Sequence, residues 1–221
     1  MKVADTANPP ATVRHRRWCT VAVPLIAASL LLTGCSVLEK PLRPSVFDFG
    51  PGPSAVVAPA GALQTVALAE VEAPAALDST AILYRFSFSN PHQLLPYAQA
   101  RWSMAPAQLV RQRLRDVLGQ GRSVVGPAEA GLAFNPTGFV LRVELEEFSQ
   151  IFEAADKSFG MVRLRATLAQ ATPTGDRLLG QRMFLVQRSA ATPDAAGGVR
   201  AIAEASTAAA QEIEQWLTQF R

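Results

Sequence analysis

Two cysteines and two histidines are all that this 221-residue chain contains of the side chains best suited to metal binding and nucleophilic catalysis. Their positions, Cys19, Cys35, His15 and His92, lack metal-ligand spacing. A glycine-rich phosphate loop ending in Lys-Ser or Lys-Thr is absent as well, so the sequence carries no P-loop ATPase signature. Nor does the apolar run at its start reach the roughly 18–20 residues that a bilayer-spanning helix requires. That run, Trp18 to Leu32, has 15 residues, no charge and one proline, Pro24.

What is present there is an order of segments. The basic cluster Arg14, His15, Arg16 and Arg17 precedes the apolar run, and small residues follow it, which is the layout of a secretory signal. The ending, Leu32-Thr33-Gly34-Cys35, resembles the lipobox of bacterial lipoproteins. That resemblance implies cleavage between Gly34 and Cys35 and a lipid on the Cys35 sulfur, diacylglyceryl first and an N-acyl chain afterwards. Two or more acyl chains give stable anchoring, at about 0.8 kcal/mol per buried CH2, where one is marginal.

Cleavage changes the rest of the reading. It leaves 187 residues and removes Lys2, Arg14, Arg16, Arg17 and Asp5, so that 17 basic residues face 17 acidic ones. A neutral chain offers no electrostatic case for nucleic acid. Cys19 goes with the signal and Cys35 is consumed by lipid, which leaves no thiol for a disulfide, a metal or catalysis. The expected organisation is a signal over 1–34, the lipidated cysteine and a Pro/Gly-rich tether over 35–62, and one folded domain over 63–221.

Periodicity outlines that domain. Within the tether, Ser45 to Phe49 alternates and could add an edge strand. Gln64–Val71, Ile82–Ser89 and Tyr97–Trp102 read as strands, and Tyr84, Phe86 and Phe88 share one face. Ser103 is the expected N-cap of a helix ending at Gly119, with Pro106 in its first turn. Its apolar face is Ala107, Val110, Leu114, Val117 and Leu118, with Arg111, Arg113, Arg115 and Asp116 turned to water. Three strands then form a meander. Placing the apolar sets of Phe139–Leu145 and Val162–Leu168 on one face sets Glu144 opposite Arg165 and Glu146 opposite Arg163, with the turn centred between Ala154 and Ala155. The third strand, Leu178–Ser189, follows a turn at Pro173-Thr174-Gly175-Asp176. An alanine-rich helix, about Ala196 to Phe220, closes the chain. The expected fold is α+β, an antiparallel sheet of about five to six strands packed against two amphipathic helices.

Catalytic groups are scarce in this outline. His92 sits in a turn-like Asn90-Pro91-His92-Gln93, and Glu144, Glu146 and Glu147 alternate with arginine partners as a solvated face does. Two features suit binding better. Met183-Phe184-Leu185-Val186 is apolar on both strand faces, so the last helix, a loop or a partner covers it. Arg101-Trp102, at a strand-to-helix junction, fits an interface or, for Trp102, a core. Arg101, Trp102, Phe184 and Val186 are therefore the candidate partner interface. No cofactor is expected beyond the covalent lipid on Cys35.

The order of pieces carries a further resemblance. The lipobox cysteine, Phe47-Asp48-Phe49-Gly50-Pro51, the Val66–Val71 strand, Ile82-Leu83-Tyr84-Arg85 and Tyr97-Ala98-Gln99-Ala100-Arg101-Trp102 entering a helix with Leu109, Leu114 and Leu118 resemble the ABC-type transport auxiliary lipoproteins, the PqiC-like group of Pqi and Mce intermembrane transport systems. Relatives often have Ala and an acidic residue after the Trp, where this chain has Ser103 and Met104. The resemblance implies a non-enzymatic component moving lipids between membranes, with a periplasmic Mce-domain protein as partner, an ABC permease and ATPase as indirect partners, and room for a homo-oligomer. Ser36 after the lipidated cysteine implies outer-membrane delivery at the periplasmic face rather than inner-membrane retention. The alternative is a lipoprotein that itself encloses an acyl chain between sheet and helices.

Overall fold

Strict alternation of apolar and charged residues fixes the centre of the sheet. The computed structural model describes residues 43–52, 64–126 and 138–220. Its elements in chain order are β1 (Ser45–Phe47), β2 (Val66–Leu68), a 3-10 turn (Ala75–Leu77), β3 (Ala81–Phe86), β4 (Leu95–Trp102), α1 (Pro106–Leu118), β5 (Val124–Val125), β6 (Phe139–Ala154), β7 (Lys157–Thr172), β8 (Gly175–Ser189) and α2 (Ala195–Leu217). On β6, Phe139, Leu141, Val143 and Leu145 are buried while Arg142 and Glu144 are exposed, as a half-buried strand requires.

β6, β7 and β8 form the antiparallel meander. Glu144 does face Arg165, but the pairing slips after Leu145↔Leu164, so that Glu147 and not Glu146 stands opposite Arg163. Glu146 is the extra residue of a bulge, which moves the inward positions from odd to even numbers. Phe148, Gln150 and Phe152 are accordingly buried on the inner face. The turn between β6 and β7 is Ala155-Asp156, one residue later than a uniform register gives. Between β7 and β8, Thr172 pairs with Gly175, and Gly175 takes a φ of +123°, a conformation open to glycine.

The sheet is mixed rather than antiparallel, and it has eight strands among the described residues. β3–β4, β6–β7 and β7–β8 are antiparallel, whereas β1–β4, β2–β5, β2–β6 and β3–β6 are parallel. The edge of β6 facing away from β7 is shared, with β2 along its first half and β3 along its second. Hairpins follow from turn chemistry, but parallel neighbours are joined by long connections that alternation does not specify.

α2 lies across β7 and β8 and reaches β6, with α1 packed beside it. Its N-cap is Asp194, whose carboxylate accepts from the Gly197 N–H at 2.7 Å. The stripe Val199, Ile202, Ala205, Ala209, Ile213 and Trp216 is buried. The helix comes very close to the sheet at Gly160, where an added Cβ would lie 2.5 Å from the Ile202 backbone nitrogen. α1 begins at Pro106 without a side-chain cap. Ser103 does not cap it, because the N-cap position falls two residues later, at Ala105; the Ser103 N–H instead donates to the Phe47 carbonyl at 2.7 Å, extending the β1–β4 contact. The buried face of α1 is Leu109, Val110, Leu114, Val117 and Leu118.

Candidate functional site

Gly34 and Cys35, the expected cleavage and lipidation residues, lie outside the described residues, as does the tether from 53 to 62. The edge strand expected in that tether is present: β1 pairs parallel with β4, Ser45 to Ala100 and Phe47 to Trp102. Asp48 turns the chain after it by accepting from the Gly50 N–H at 2.7 Å. Phe49 then packs against Trp102 and Phe148, with ring centroids 5.8 and 6.1 Å apart.

That docking uses an arginine. Arg113, on α1, is buried rather than turned to water. It donates to the Phe49 carbonyl at 2.9 Å, and its guanidinium lies 5.4 Å from the Phe49 ring centroid. The signal was in the spacing, since Arg113 falls four residues after Leu109 and four before Val117 on the apolar stripe.

Three of the four candidate interface residues are inside the monomer. Trp102 is 1% exposed and packs at a tilt against Phe148, with ring centroids 5.4 Å apart. Phe184 and Val186 are likewise buried, and Phe184 meets Trp216 of α2 at 5.9 Å. The last helix therefore covers the inner face of that apolar strand. Arg101 alone of the four is exposed. The four do not form one surface, because β4 and β8 are separated in the sheet by β3, β6 and β7.

What the apolar strand does present is its other face. Met183 and Leu185 are 50% and 53% exposed on β8, opposite Arg165 and Arg163 of β7. Among the described residues β8 pairs only with β7, so its 15 residues form a free edge, the kind of edge that can template another strand.

Beside this stripe the outer face is an ion-pair lattice. Arg163 meets Glu146 at 3.0 Å, Arg165 donates to Glu146 at 2.8 Å, and Arg85 pairs with Glu147 at 2.9 Å. The Ser149 hydroxyl also donates to Glu147, at 2.6 Å. The glutamates thus hold arginines in place in partly exposed pairs, with side-chain exposures of 16–40%, and surface pairs contribute about 0–1 kcal/mol each. Arg122 and Glu214 are different. Arg122, after α1, donates from Nε and Nη2 to the Glu214 carboxylate of α2 at 2.9 Å, and its side chain is 2% exposed.

A second cluster sits at the end of the sheet formed by the β3–β4 turn. Tyr84 contacts Tyr97 at 4.5 Å and Phe86 at 5.2 Å, while Phe86 contacts Phe152 at 5.1 Å and Phe88 at 5.5 Å. Beneath it the Tyr97 hydroxyl donates to Gln150 Oε1 at 2.8 Å, and Gln150 Nε2 donates to Ser158 Oγ at 2.8 Å. Burial pushes the Tyr97 phenol well above its ordinary value, with Tyr84 and Asp194 adding to the shift. His92 lies exposed in the adjoining turn, its backbone N–H donating to Asn90.

Among the described residues no group of three or more His, Cys, Asp or Glu is placed to hold a metal ion, and no helix is long and apolar enough to cross a membrane. Open clefts occur at the β7–β8 turn, along the outer side of α1, and beside Glu72 and Glu144, the last of about 360 Å³.

Known proteins supply the remaining context. The fold is similar to that of protein XCC0632 from Xanthomonas campestris, at 18% identity and a TM-score of 0.61, over 78% of this chain and 94% of that one. A second crystal structure, of an uncharacterized protein, matches at 14% identity and a TM-score of 0.61, over 79% of this chain and 99% of that one. At these identities the likeness is one of fold. No curated protein matches the sequence. The family model for the ABC-type transport auxiliary lipoprotein component matches residues 47–214, from the docked tether strand to the last helix. The chain belongs to the family of ABC-type transport auxiliary lipoprotein components.

Proposed function

We propose that the protein is a lipid-anchored, non-catalytic docking component of an ABC/Mce-type system that moves lipids or other apolar molecules between membranes. The observation that carries this reading is the family match over residues 47–214. In it, acyl chains on Cys35 hold the domain at the periplasmic face of the outer membrane, and the segment between Cys35 and β1 sets the reach. The sheet-helix body binds a Mce-domain protein, which connects it to the permease and ATPase.

The geometry supports docking through β8. A free edge with Met183 and Leu185 exposed beside fixed charges offers backbone groups for affinity and side chains for selectivity. The inner face cannot serve, because α2 covers Phe184 and Val186. Enclosure of an acyl chain between sheet and helices is not favoured, since Leu141, Leu164, Leu168, Phe184, Ile202 and Ile213 fill that space as one core cluster.

Crosslinking followed by purification from membranes tests the reading. Recovery of a Mce-domain protein is expected, and its consistent absence would overturn the assignment. Cys35→Ser should release or mislocalise the protein, and unchanged membrane association would remove the anchor.

A further inference from the structure

We infer that the aromatic end of the sheet, Tyr84, Phe86 and Phe88 at the β3–β4 turn, rests on the lipid surface to which Cys35 is attached. This inference rests on the reading of Cys35 as the lipid anchor. Phe88 is 55% exposed, and Tyr84 and Phe86 are half-buried. Tyr97, the next ring, turns its hydroxyl inward to Gln150, and the most exposed ring of the cluster is the phenyl group of Phe88.

The turn that carries them is built, not loose. The Ser89 and Asn90 N–H groups both donate to the Phe86 carbonyl, at 3.2 and 2.9 Å. The Ser87 N–H and hydroxyl both donate to the Phe152 carbonyl, at 2.9 and 2.8 Å. Phe152, itself buried, backs Phe86 from below. A rigid apolar projection that no element covers among the described residues is costly in water and suited to an interface.

The direction of the chain identifies the occupant. β1 runs parallel to β4, with Ser45 beside Ala100, so the chain enters β1 through Arg43 and Pro44 from the side of the Leu95 end of β4. There Tyr84 pairs with Leu95, and Phe86 and Phe88 lie just beyond. From Arg43 back to Cys35 there are eight residue steps, which span at most about 26–29 Å when fully extended. That is no more than the hydrocarbon thickness of one bilayer, about 30 Å. An anchor on so short a leash keeps this end of the sheet within reach of the membrane, where Tyr favours the headgroup level and Phe on an apolar face buries into the headgroup and acyl boundary. Leu178, 64% exposed, lies near the β7–β8 turn at the opposite end and has no such constraint.

Site-directed fluorescence tests the inference on the full chain, processed and purified from membranes. With Cys19 removed and Cys35 acylated, an introduced cysteine is the sole thiol. Phe88→Cys, Ser89→Cys and Leu178→Cys would each carry an environment-sensitive label. The proteins would be reconstituted in phosphatidylethanolamine and phosphatidylglycerol vesicles, plain or with brominated acyl chains. Labels at Phe88 and Ser89 should shift to the blue and lose at least about two-fold in emission to bromine, because interfacial side chains reach ~5–10 Å into the headgroup and acyl boundary. The label at Leu178 should do neither. Equal quenching at both ends, or none at the Phe88 end, would overturn the inference. So would a blue-shifted but unquenched label there, which would mean that protein covers the cluster. The mass of the purified protein separates the two readings: an unacylated Cys35 removes the anchor and this contact with it, whereas acylated protein with unquenched Phe88 and Ser89 labels removes the contact alone.

Discussion

Phe49 stands edge-on to Trp102, with 5.8 Å between ring centroids and 88° between planes, so a residue of the Pro- and Gly-rich segment closes the core of the domain. Trp102 itself is 1% exposed, packed between Phe148 of the core and this segment, which pairs along it through β1.

Removing the Phe49 ring should therefore destabilise the whole domain rather than loosen a tether. Phe49→Ala is expected to cost about 2 kcal/mol, below the roughly 3–5 kcal/mol of a fully buried aromatic truncation, since the ring is only partly buried. It should also shift Trp102 emission to the red. Denaturant titration followed by fluorescence reads both, and unchanged stability would mean that β1 docks without bearing on the core.

The Arg122–Glu214 pair links the turn after α1 to α2 and is buried on the arginine side. Glu214→Ala should cost about 3 kcal/mol, because it leaves a buried guanidinium without its counter-charge. Glu146→Ala, on the outer lattice, should cost about 1 kcal/mol or less. Thermal unfolding of the two variants ranks them, and equal losses would contradict the assignment of Arg122 as a core contact.

Asp194 caps α2, and its carboxyl is held below its ordinary value of 3.8, chiefly by the Gly197 N–H and next by the Thr192 hydroxyl. A carboxylate held low in the folded state contributes stability above its unfolded pKa and loses it as pH falls through the lowered one. Asp194→Ala should cost about 1 kcal/mol at neutral pH, and the difference from the parent should shrink below about pH 4. Melting curves across that window decide it.

Tyr97 runs the other way. Its phenol is pushed up by burial first, so its contribution is complete below the unfolded value of 10 and is lost as pH rises above it. Tyr97→Phe should cost about 1 kcal/mol at neutral pH, by leaving Gln150 Oε1 without its donor, and should flatten the alkaline decline. Stability that falls equally in both proteins above pH 10 would place the titration elsewhere.

The sequence and the structure agree where local patterns decide. Alternation located β6, β7 and β8, apolar spacing located both helices, and Ser45–Phe49 was readable as an added strand. The bulge at Glu146 was not legible, because the glutamates at 144, 146 and 147 all suit an exposed strand face. The parallel pairings of β2, β3 and β6 depend on contacts between distant segments that no local period encodes. Of the candidate interface, Phe184 and Val186 were misplaced for a related reason. An apolar strand covered on one side and one covered on both read alike until the position of α2 is known, and the exposed pair proved to be Met183 and Leu185.

The central claim, a docking component that binds its transport partner through β8, is tested most directly by photo-crosslinking from Leu185 in intact cells. A photoreactive residue at Leu185, and another at Met183, should yield an adduct containing a Mce-domain protein, while one at Asp156 in the β6–β7 turn should not. Membrane-anchored protein that gives no such adduct from either β8 position, or gives it equally from all three, would contradict the account.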